Sequence, residues 1–220
     1  MISTKLLVFL LLGTFAMLVP IIIQTIWYKT EIWKSIVVSV LLTVTGTIGT
    51  YIWFFVENLH FGGRSFYGAV FIVPIVFIVI SKFLHISYGY LMDLCAPAEC
   101  IMLAVMKAKC LVDGCCTGRF LGFFLNGEPV IFPSQIAELI SALVLCVVLM
   151  ILAYKSKFRG ALYPWYMVLY GITRFILNFF RDVWENGTIP YGTIWSIISL
   201  IIGVIWLFAL KCCKKDRLES

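Results

Sequence analysis

Pro164-Trp165-Tyr166-Met167-Val168-Leu169-Tyr170-Gly171-Ile172-Thr173-Arg174-Phe175-Ile176-Leu177-Asn178-Phe179-Phe180 carries one charge, Arg174, in the middle of an apolar run long enough to cross a bilayer. A guanidinium at that depth costs roughly 2.5–3.5 kcal/mol on insertion scales. Such a residue faces a polar cavity with a partner, or it snorkels or pairs with an acid on another helix. Tyr170 at i−4 and Asn178 at i+4 project from the same helix face as Arg174, and Arg181 lies about one more turn along. Tyrosine, arginine, asparagine and arginine therefore form a polar stripe, whose natural ligand is an anion held within the membrane.

The rest of the chain has the same character. Hydrophobic residues make up 62% and charged residues 13%, and the mean hydropathy is +1.04. No soluble domain of this length has that balance. Apolar spans are expected near 6–27, 36–56, 67–86, 91–111, 135–153, 162–180 and 193–210. The connections between them are short, so residues 1–220 read as a single integral membrane domain. The predicted fold is all-α and polytopic, with about seven transmembrane helices around a lipid-accessible polar cavity. The fourth segment holds Asp93, Pro97 and Glu99, which makes it broken, tilted or cavity-lining. No long β-alternation suggests a barrel. The first apolar run is too long for the core of a signal peptide and no small-x-small cleavage site follows it, so it reads as a retained span.

Basic residues set the expected orientation. With the N-terminus outside, Lys29, Lys34, Lys82, Lys155, Lys157, Arg159, Lys211, Lys214, Lys215 and Arg217 fall on the cytoplasmic side, against Lys5, Arg64, Lys107, Lys109, Arg119 and Arg181 outside. The net charge of +6 is then mostly topology and attraction to anionic lipid, and nucleic-acid binding needs no invoking. The outer cations oppose the topology rule, which points to a functional reason for their presence. Trp27, Tyr28, Trp33, Trp165, Tyr166, Trp184, Tyr191 and Trp195 sit near span ends, where interfacial aromatics belong.

Three connections carry unusual chemistry. Phe61-Gly62-Gly63-Arg64-Ser65-Phe66-Tyr67-Gly68-Ala69 has glycines that let backbone approach a ligand, or that simply make a tight turn. Lys107-Ala108-Lys109-Cys110-Leu111-Val112-Asp113-Gly114-Cys115-Cys116-Thr117-Gly118-Arg119 combines cations with glycine-freed N–H groups, as phosphate binding requires, without the order of a nucleotide loop. In Ile131-Phe132-Pro133-Ser134-Gln135-Ile136-Ala137-Glu138, Ser134 is the expected N-cap of the fifth helix. Gln135 and Glu138 share a face just inside the membrane. Glu138 either partners an outer cation or complements the helix dipole.

Eight cysteines, Cys95, Cys100, Cys110, Cys115, Cys116, Cys146, Cys212 and Cys213, contain no Cys-x-x-Cys pair, and His60 and His85 lie far apart. Neighbouring Cys115 and Cys116 are poorly placed to share one zinc, so no metal site is expected. Cys110 could pair with Cys115 or Cys116 on the outer face. The others read mainly as small apolar packing residues.

The order of these motifs resembles the prolipoprotein diacylglyceryl transferase family of bacterial plasma membranes. Gly62-Gly63 with Tyr67-Gly68, Gly114-Cys115-Cys116 with Gly118-Arg119, Pro133 with Gln135 and Glu138, and Tyr170-Gly171 with Arg174-Phe175 carry the resemblance. It implies transfer of the diacylglyceryl group of phosphatidylglycerol to the cysteine thiol of a lipoprotein precursor's signal region. A thioether forms, glycerol phosphate leaves, and no cofactor takes part. The expected partners are phosphatidylglycerol, the precursor and membrane lipid.

The resemblance makes Arg174 the essential arginine, with Lys107 and Arg119 as further holders of the donor phosphate and Tyr170 positioning it. Arg64, Cys110, Gly114, Gly118, Gln135, Asn178 and Arg181 join them as expected substrate-binding positions. Tyr67 or Glu138 is expected to assist thiol deprotonation, with Asp113 and Glu99 as alternatives. The match has departures. Tyr67 stands where the family commonly has a histidine regarded as the base, and an unperturbed tyrosine is a poor base at neutral pH. Lys107 stands for an arginine and lacks its bidentate fork. Lys109 stands for a glycine, Phe132 for a histidine and Asn178 for a glutamate. Cys110 and Cys115 lie where some members have asparagine and glutamate. The same departures allow a non-catalytic member that binds phospholipid or lipoprotein signal sequences.

Overall fold

The computed structural model describes residues 4–60, 62–125, 127–155, 160–182 and 189–219. Seven helices account for most of them: α1 (Thr4–Tyr28), α2 (Ile32–Asn58), α3 (Tyr67–Phe83), α4 (Tyr88–Asp113), α5 (Ser134–Tyr154), α6 (Leu162–Asn178) and α7 (Tyr191–Glu219). Between α4 and α5 lies a two-stranded antiparallel hairpin, β1 (Phe120–Leu125) with β2 (Glu128–Ile131). Phe61, Lys157, Arg159 and Trp184, named above, lie outside the described residues.

The chain is an all-α polytopic membrane protein. Helices α1, α2, α5 and the Tyr191–Cys212 part of α7 are long and apolar enough to cross a membrane, and α3 is a shorter apolar helix. Their outward faces are apolar. Leu7, Leu11, Phe15, Val19 and Ile26 are exposed on α1, Val40, Val44 and Ile48 on α2, and Ile197, Ile201 and Ile205 on α7. Residues three and four apart fall on one helical face, and such faces suit hydrocarbon rather than water.

Helix α4 occupies the centre. It packs against α1 and α5 and also meets α2, α3 and α6, and every residue from Leu91 to Cys100 is buried. Its polar residues explain why it is less hydrophobic than the outer helices. Asp93 accepts hydrogen bonds from the N–H groups of Gly160 (2.5 Å) and Leu162 (3.0 Å) and from the Tyr28 hydroxyl (3.0 Å). An acid from α4 thereby satisfies donors at the start of α6, where the backbone has no intrahelical partners. Pro97 does not break α4, which runs unbroken from Tyr88 to Asp113. Glu99, farther along, lines a cavity.

Pro74 sits inside α3 and cannot donate to the Val70 carbonyl one turn back. The Tyr163 hydroxyl of α6 lies 3.0 Å from that carbonyl oxygen and 2.9 Å from Glu99 Oε1. The proline in an apolar helix is thus compensated by a neighbouring helix, as a dry environment demands. Close helix approach rests on small residues. A Cβ at Gly68 of α3 would lie 2.0 Å from the Gly49 carbonyl oxygen of α2.

Two local expectations are corrected. Ser134 is not the N-cap of α5. Pro133 holds that position without a side-chain cap, and Ser134 is the first helical residue. Its hydroxyl is drawn instead to the Cys116 carbonyl at 2.5 Å. The hairpin was not anticipated either. Phe120 pairs with Ile131, Phe124 with Pro129 and Leu125 with Glu128, around a register shift. Gly127, at φ 85, supplies the left-handed backbone for the turn.

Candidate active site

The cations gather where α2, α4 and α6 end and α3, α5 and α7 begin. Glu138, four residues into α5, is 3% exposed and lies at the focus. Its carboxylate is 2.5 Å from Lys107 Nζ of α4 and 3.3 Å from Arg181 Nε, and it is also in contact with Arg174 Nη1 of α6. Both carboxylate oxygens are engaged, Oε2 by Lys107 and Arg174 and Oε1 by Arg181. Three cations against one carboxylate leave an excess of two positive charges. In a poorly screened interior such an excess favours binding of an anion.

A cavity of about 350 Å³ opens beside this cluster. Its walls include Arg64, Tyr67, Lys107, Tyr170, Arg174, Asn178 and Arg181, so most of the expected substrate-facing residues line one space. The helical spacing of Tyr170, Arg174 and Asn178 puts them on one face. Arg181 joins them differently, because α6 ends at Asn178. A backbone bridge between Arg181 and Gly118 sets its place, reinforced by the Arg119 N–H donating to the Phe180 carbonyl at 3.0 Å.

Tyr67 opens α3 and is buried. Its hydroxyl lies 2.7 Å from Ser196 Oγ of α7, while the Ser196 hydroxyl donates to the Gly192 carbonyl at 2.6 Å. Since the serine proton is engaged there, the tyrosine is the donor in the Tyr67–Ser196 bond. Its ring packs against Phe71 and Tyr170. Asn178, also buried, donates from Nδ2 to Thr193 Oγ1 at 3.4 Å. The Arg64 guanidinium lies 5.9 Å from the centre of the Tyr51 ring.

A second cavity, about 440 Å³, lies on the other side of Arg64, Phe66, Lys107 and Cys116, which line both spaces. Thr43, Thr47 and Thr50 of α2 and Met102, Leu103 and Met106 of α4 contribute a mainly apolar wall, with Glu99 deep along it and Cys110, Cys115 and Cys116 at the other end.

Several expected residues lie outside both cavities. Arg119 is exposed and lines neither. Gly114, at φ 66, is the left-handed C-cap of α4. Gly118 is buried beneath the loop before α5, where a Cβ would stand 2.0 Å from the Phe132 carbonyl oxygen. Gln135 donates to the Cys115 carbonyl at 2.7 Å. Lys109 is bound to Asp113, which also lies 4.0 Å from Lys5. These residues shape and hold the loop after α4.

That loop brings three thiols together where the sequence suggested at most a pair. The sulfurs of Cys110, Cys115 and Cys116 all lie within 4.8 Å of one another. Cys116 has φ 60, a left-handed conformation that reverses the chain, so the neighbouring position of Cys115 and Cys116 does not keep their thiols apart. The Cys116 thiol is held below the usual thiol range by its hydrogen bond with Cys110, and further by the charges of Lys107 and Arg181. Sequence reasoning also passed over Ser196, Thr193 and Glu57. Glu57 lines the smaller cavity and accepts a bond from Ser65 Oγ at 2.8 Å. No local pattern marks Ser196 or Thr193, because their partners Tyr67 and Asn178 come from other helices.

Known proteins are similar to this sequence over much of its length. A protein from Dehalococcoides mccartyi strain BAV1 is 29% identical over 169 residues, which cover 70% of this chain and 64% of the relative. One from Francisella tularensis subsp. holarctica is 29% identical over 174 residues, 72% of this chain and 65% of the relative. One from Geobacter sulfurreducens is 27% identical over 128 residues, 55% and 49%. Each bears the name phosphatidylglycerol–prolipoprotein diacylglyceryl transferase, and each match spans less than two thirds of the relative. The family model for prolipoprotein diacylglyceryl transferase runs across residues 5–209, taking in the helices and the cation cluster alike, and the chain belongs to that family.

Proposed function

We propose that this protein transfers the diacylglyceryl group of phosphatidylglycerol to the thiol of the lipobox cysteine in lipoprotein precursors, at the plasma membrane of a bacterium. The observation that carries this reading is the convergence of Lys107, Arg174 and Arg181 on the single carboxylate of Glu138 beside a cavity. A phospholipid phosphate is an anion of the kind that such a cluster favours.

The donor enters from the bilayer with its phosphate among Arg64, Lys107, Arg174 and Arg181. Tyr170 stands against the glyceryl portion. The acceptor thiolate attacks the glyceryl carbon that carries the phosphate oxygen. The carbon–sulfur bond forms as the carbon–oxygen bond breaks, and glycerol phosphate leaves with the electron pair. Charge grows on the departing oxygen, where fixed cations in a water-poor site stabilise it most effectively. Glu138 acts as a positioning residue, holding three cations that would otherwise repel one another. All seven helices span the membrane in this reading, with the N-terminus outside and the cation cluster toward the outer face.

One observation favours a second reading, a member that binds phospholipid or signal sequences without chemistry. Tyr67 spends its proton on Ser196 and Glu138 is committed to three cations, so neither is a ready base for a thiol. The test uses radiolabelled phosphatidylglycerol and a lipoprotein-signal peptide in reconstituted membranes. A thioether-linked diacylglyceryl product, absent with Arg174→Ala, supports the transferase. Specific retention of the lipid without product supports the binding protein.

A further inference from the structure

The thiol cluster at the end of α4 lies outside the phosphate site, yet it shares a wall with it. Cys110 belongs to the last turn of α4. Gly114, in the left-handed conformation, ends the helix, and the Cys115 N–H returns to the Cys110 carbonyl at 3.1 Å. Cys116, at φ 60, turns the chain again. The start of α5 then clamps both carbonyls of the pair, Ser134 to Cys116 and Gln135 to Cys115. The loop is therefore fixed from two helices, and its three sulfurs fall within 4.8 Å of one another.

Three thiolates bound to one zinc-like ion at about 2.3 Å, in tetrahedral geometry, stand about 3.8 Å apart. Closing the observed cluster onto one ion needs movement of at most about an ångström per pair. The charges also suit it. Three thiolates and a divalent cation sum to one negative charge, beside Lys107 in the shared wall. Three protein ligands leave a fourth position open, the arrangement that distinguishes reactive zinc sites from closed structural ones. All three cysteines line the larger cavity, and Cys116 lines the smaller one too.

We infer that Cys110, Cys115 and Cys116 bind a thiophilic divalent cation, zinc by its chemistry, whose open position captures the acceptor cysteine thiol. The inference rests on the transferase reading and supplies what that reading lacks, a way to generate thiolate without a histidine. A coordinated thiol is deprotonated outright, with its proton passing to solvent. The captured sulfur then attacks the glyceryl carbon, and the carbon–oxygen bond to phosphate breaks as before. No electrons are exchanged with the metal. The thioether that forms is a weaker ligand than a thiolate and leaves the ion.

The test uses the full-length protein, purified under reducing conditions and stripped of metal, with cobalt(II) as the probe. One equivalent is expected to bind and give sulfur-to-cobalt charge-transfer absorption, which zinc removes. Cys115→Ser comes first because that side chain is exposed. It is expected to weaken binding by more than the roughly 10–100-fold that changes around a ligand shell cost. A cysteine-containing signal peptide is expected to alter the cobalt spectrum, and its serine analogue to leave it unchanged. Metal removal is expected to stop diacylglyceryl transfer, and zinc to restore it.

Absence of charge-transfer absorption in protein whose thiols are all free overturns the inference, and so does a Cys110 disulfide trapped by alkylation at lysis. Transfer that persists without metal and with Cys115→Ser also overturns it, while leaving the transferase intact. A peptide-dependent cobalt spectrum without product under any condition sustains the thiol-capturing site and removes the transferase reading instead.

Discussion

Asp93 of α4 accepts the Leu162 N–H at 3.0 Å and so terminates a helix to which it does not belong. Gly160 donates to the same carboxylate. Asp93→Ala leaves these donors without that acceptor, at roughly 1–3 kcal/mol for each buried group. The expected result is a lowered unfolding midpoint in detergent. A midpoint equal to that of the parent protein would mean that α6 needs no cap from α4.

Arg174 is expected to act in the reaction rather than in folding alone. Losing one preorganised donor to developing charge costs roughly 10²–10³ in rate. Arg174→Ala is expected to reduce transfer by at least that much in proteoliposomes, and Arg174→Lys to recover only part because the fork is gone. Unchanged transfer in either variant would remove Arg174 from the chemistry.

Glu138→Gln separates charge balance from proton transfer. It leaves Lys107, Arg174 and Arg181 without their counter-ion, and breaking a buried pair costs about 3–5 kcal/mol. Added inorganic phosphate is expected to stabilise this variant more than the parent, because a mobile anion occupies the place of the carboxylate. Thermal unfolding with and without phosphate checks this, and an equal response of the two proteins would count against an anion site.

Tyr67→Phe removes a hydroxyl that donates to Ser196. The expected loss of stability is about 1 kcal/mol, the net worth of one hydrogen bond. Transfer is expected to fall by less than the roughly 10²–10⁴ that a general base contributes. A loss within that range would instead make Tyr67 the base.

Gly118→Ala places a methyl group against the Phe132 carbonyl, where a Cβ would stand at 2.0 Å. Forcing the two segments apart is expected to cost about 1–3 kcal/mol. Because Gly118 also bridges Arg181, the variant is expected to weaken transfer through a displaced cation. Parent-like stability and transfer would show that the loop absorbs the methyl group elsewhere.

Hydrophobic runs were enough to read the helical, polytopic fold, because span length is set by bilayer thickness and not by tertiary detail. The stripe of Tyr170, Arg174 and Asn178 was equally legible, since helical geometry alone places residues four apart together. The partner of Arg174 was harder to choose. Glu138 stood among several acids, and only the packing of α5 beside α4 and α6 singles it out. Gly118 and Gln135 were read as ligand-facing from their motifs, whereas their contacts are with neighbouring backbone. The hairpin had a local signal in its aromatic and β-branched residues around Asn126-Gly127, but that segment is too short to stand out beside the long apolar spans. The nearness of Cys110 to Cys115 or Cys116 was legible, but the gathering of all three thiols was not, because the φ of Cys116 that folds them together is not written in residue spacing.

Arg64, Phe66, Lys107 and Cys116 form a partition with a cavity on each face. A ligand on one side that draws Lys107 toward itself withdraws that ammonium from the other side. Wherever occupancy of one space shifts Lys107, reciprocity requires each occupant to alter the affinity of the other by the same factor. Two substrates meeting at such a partition need no moving gate to sense each other, because they share a wall whose charge belongs to both.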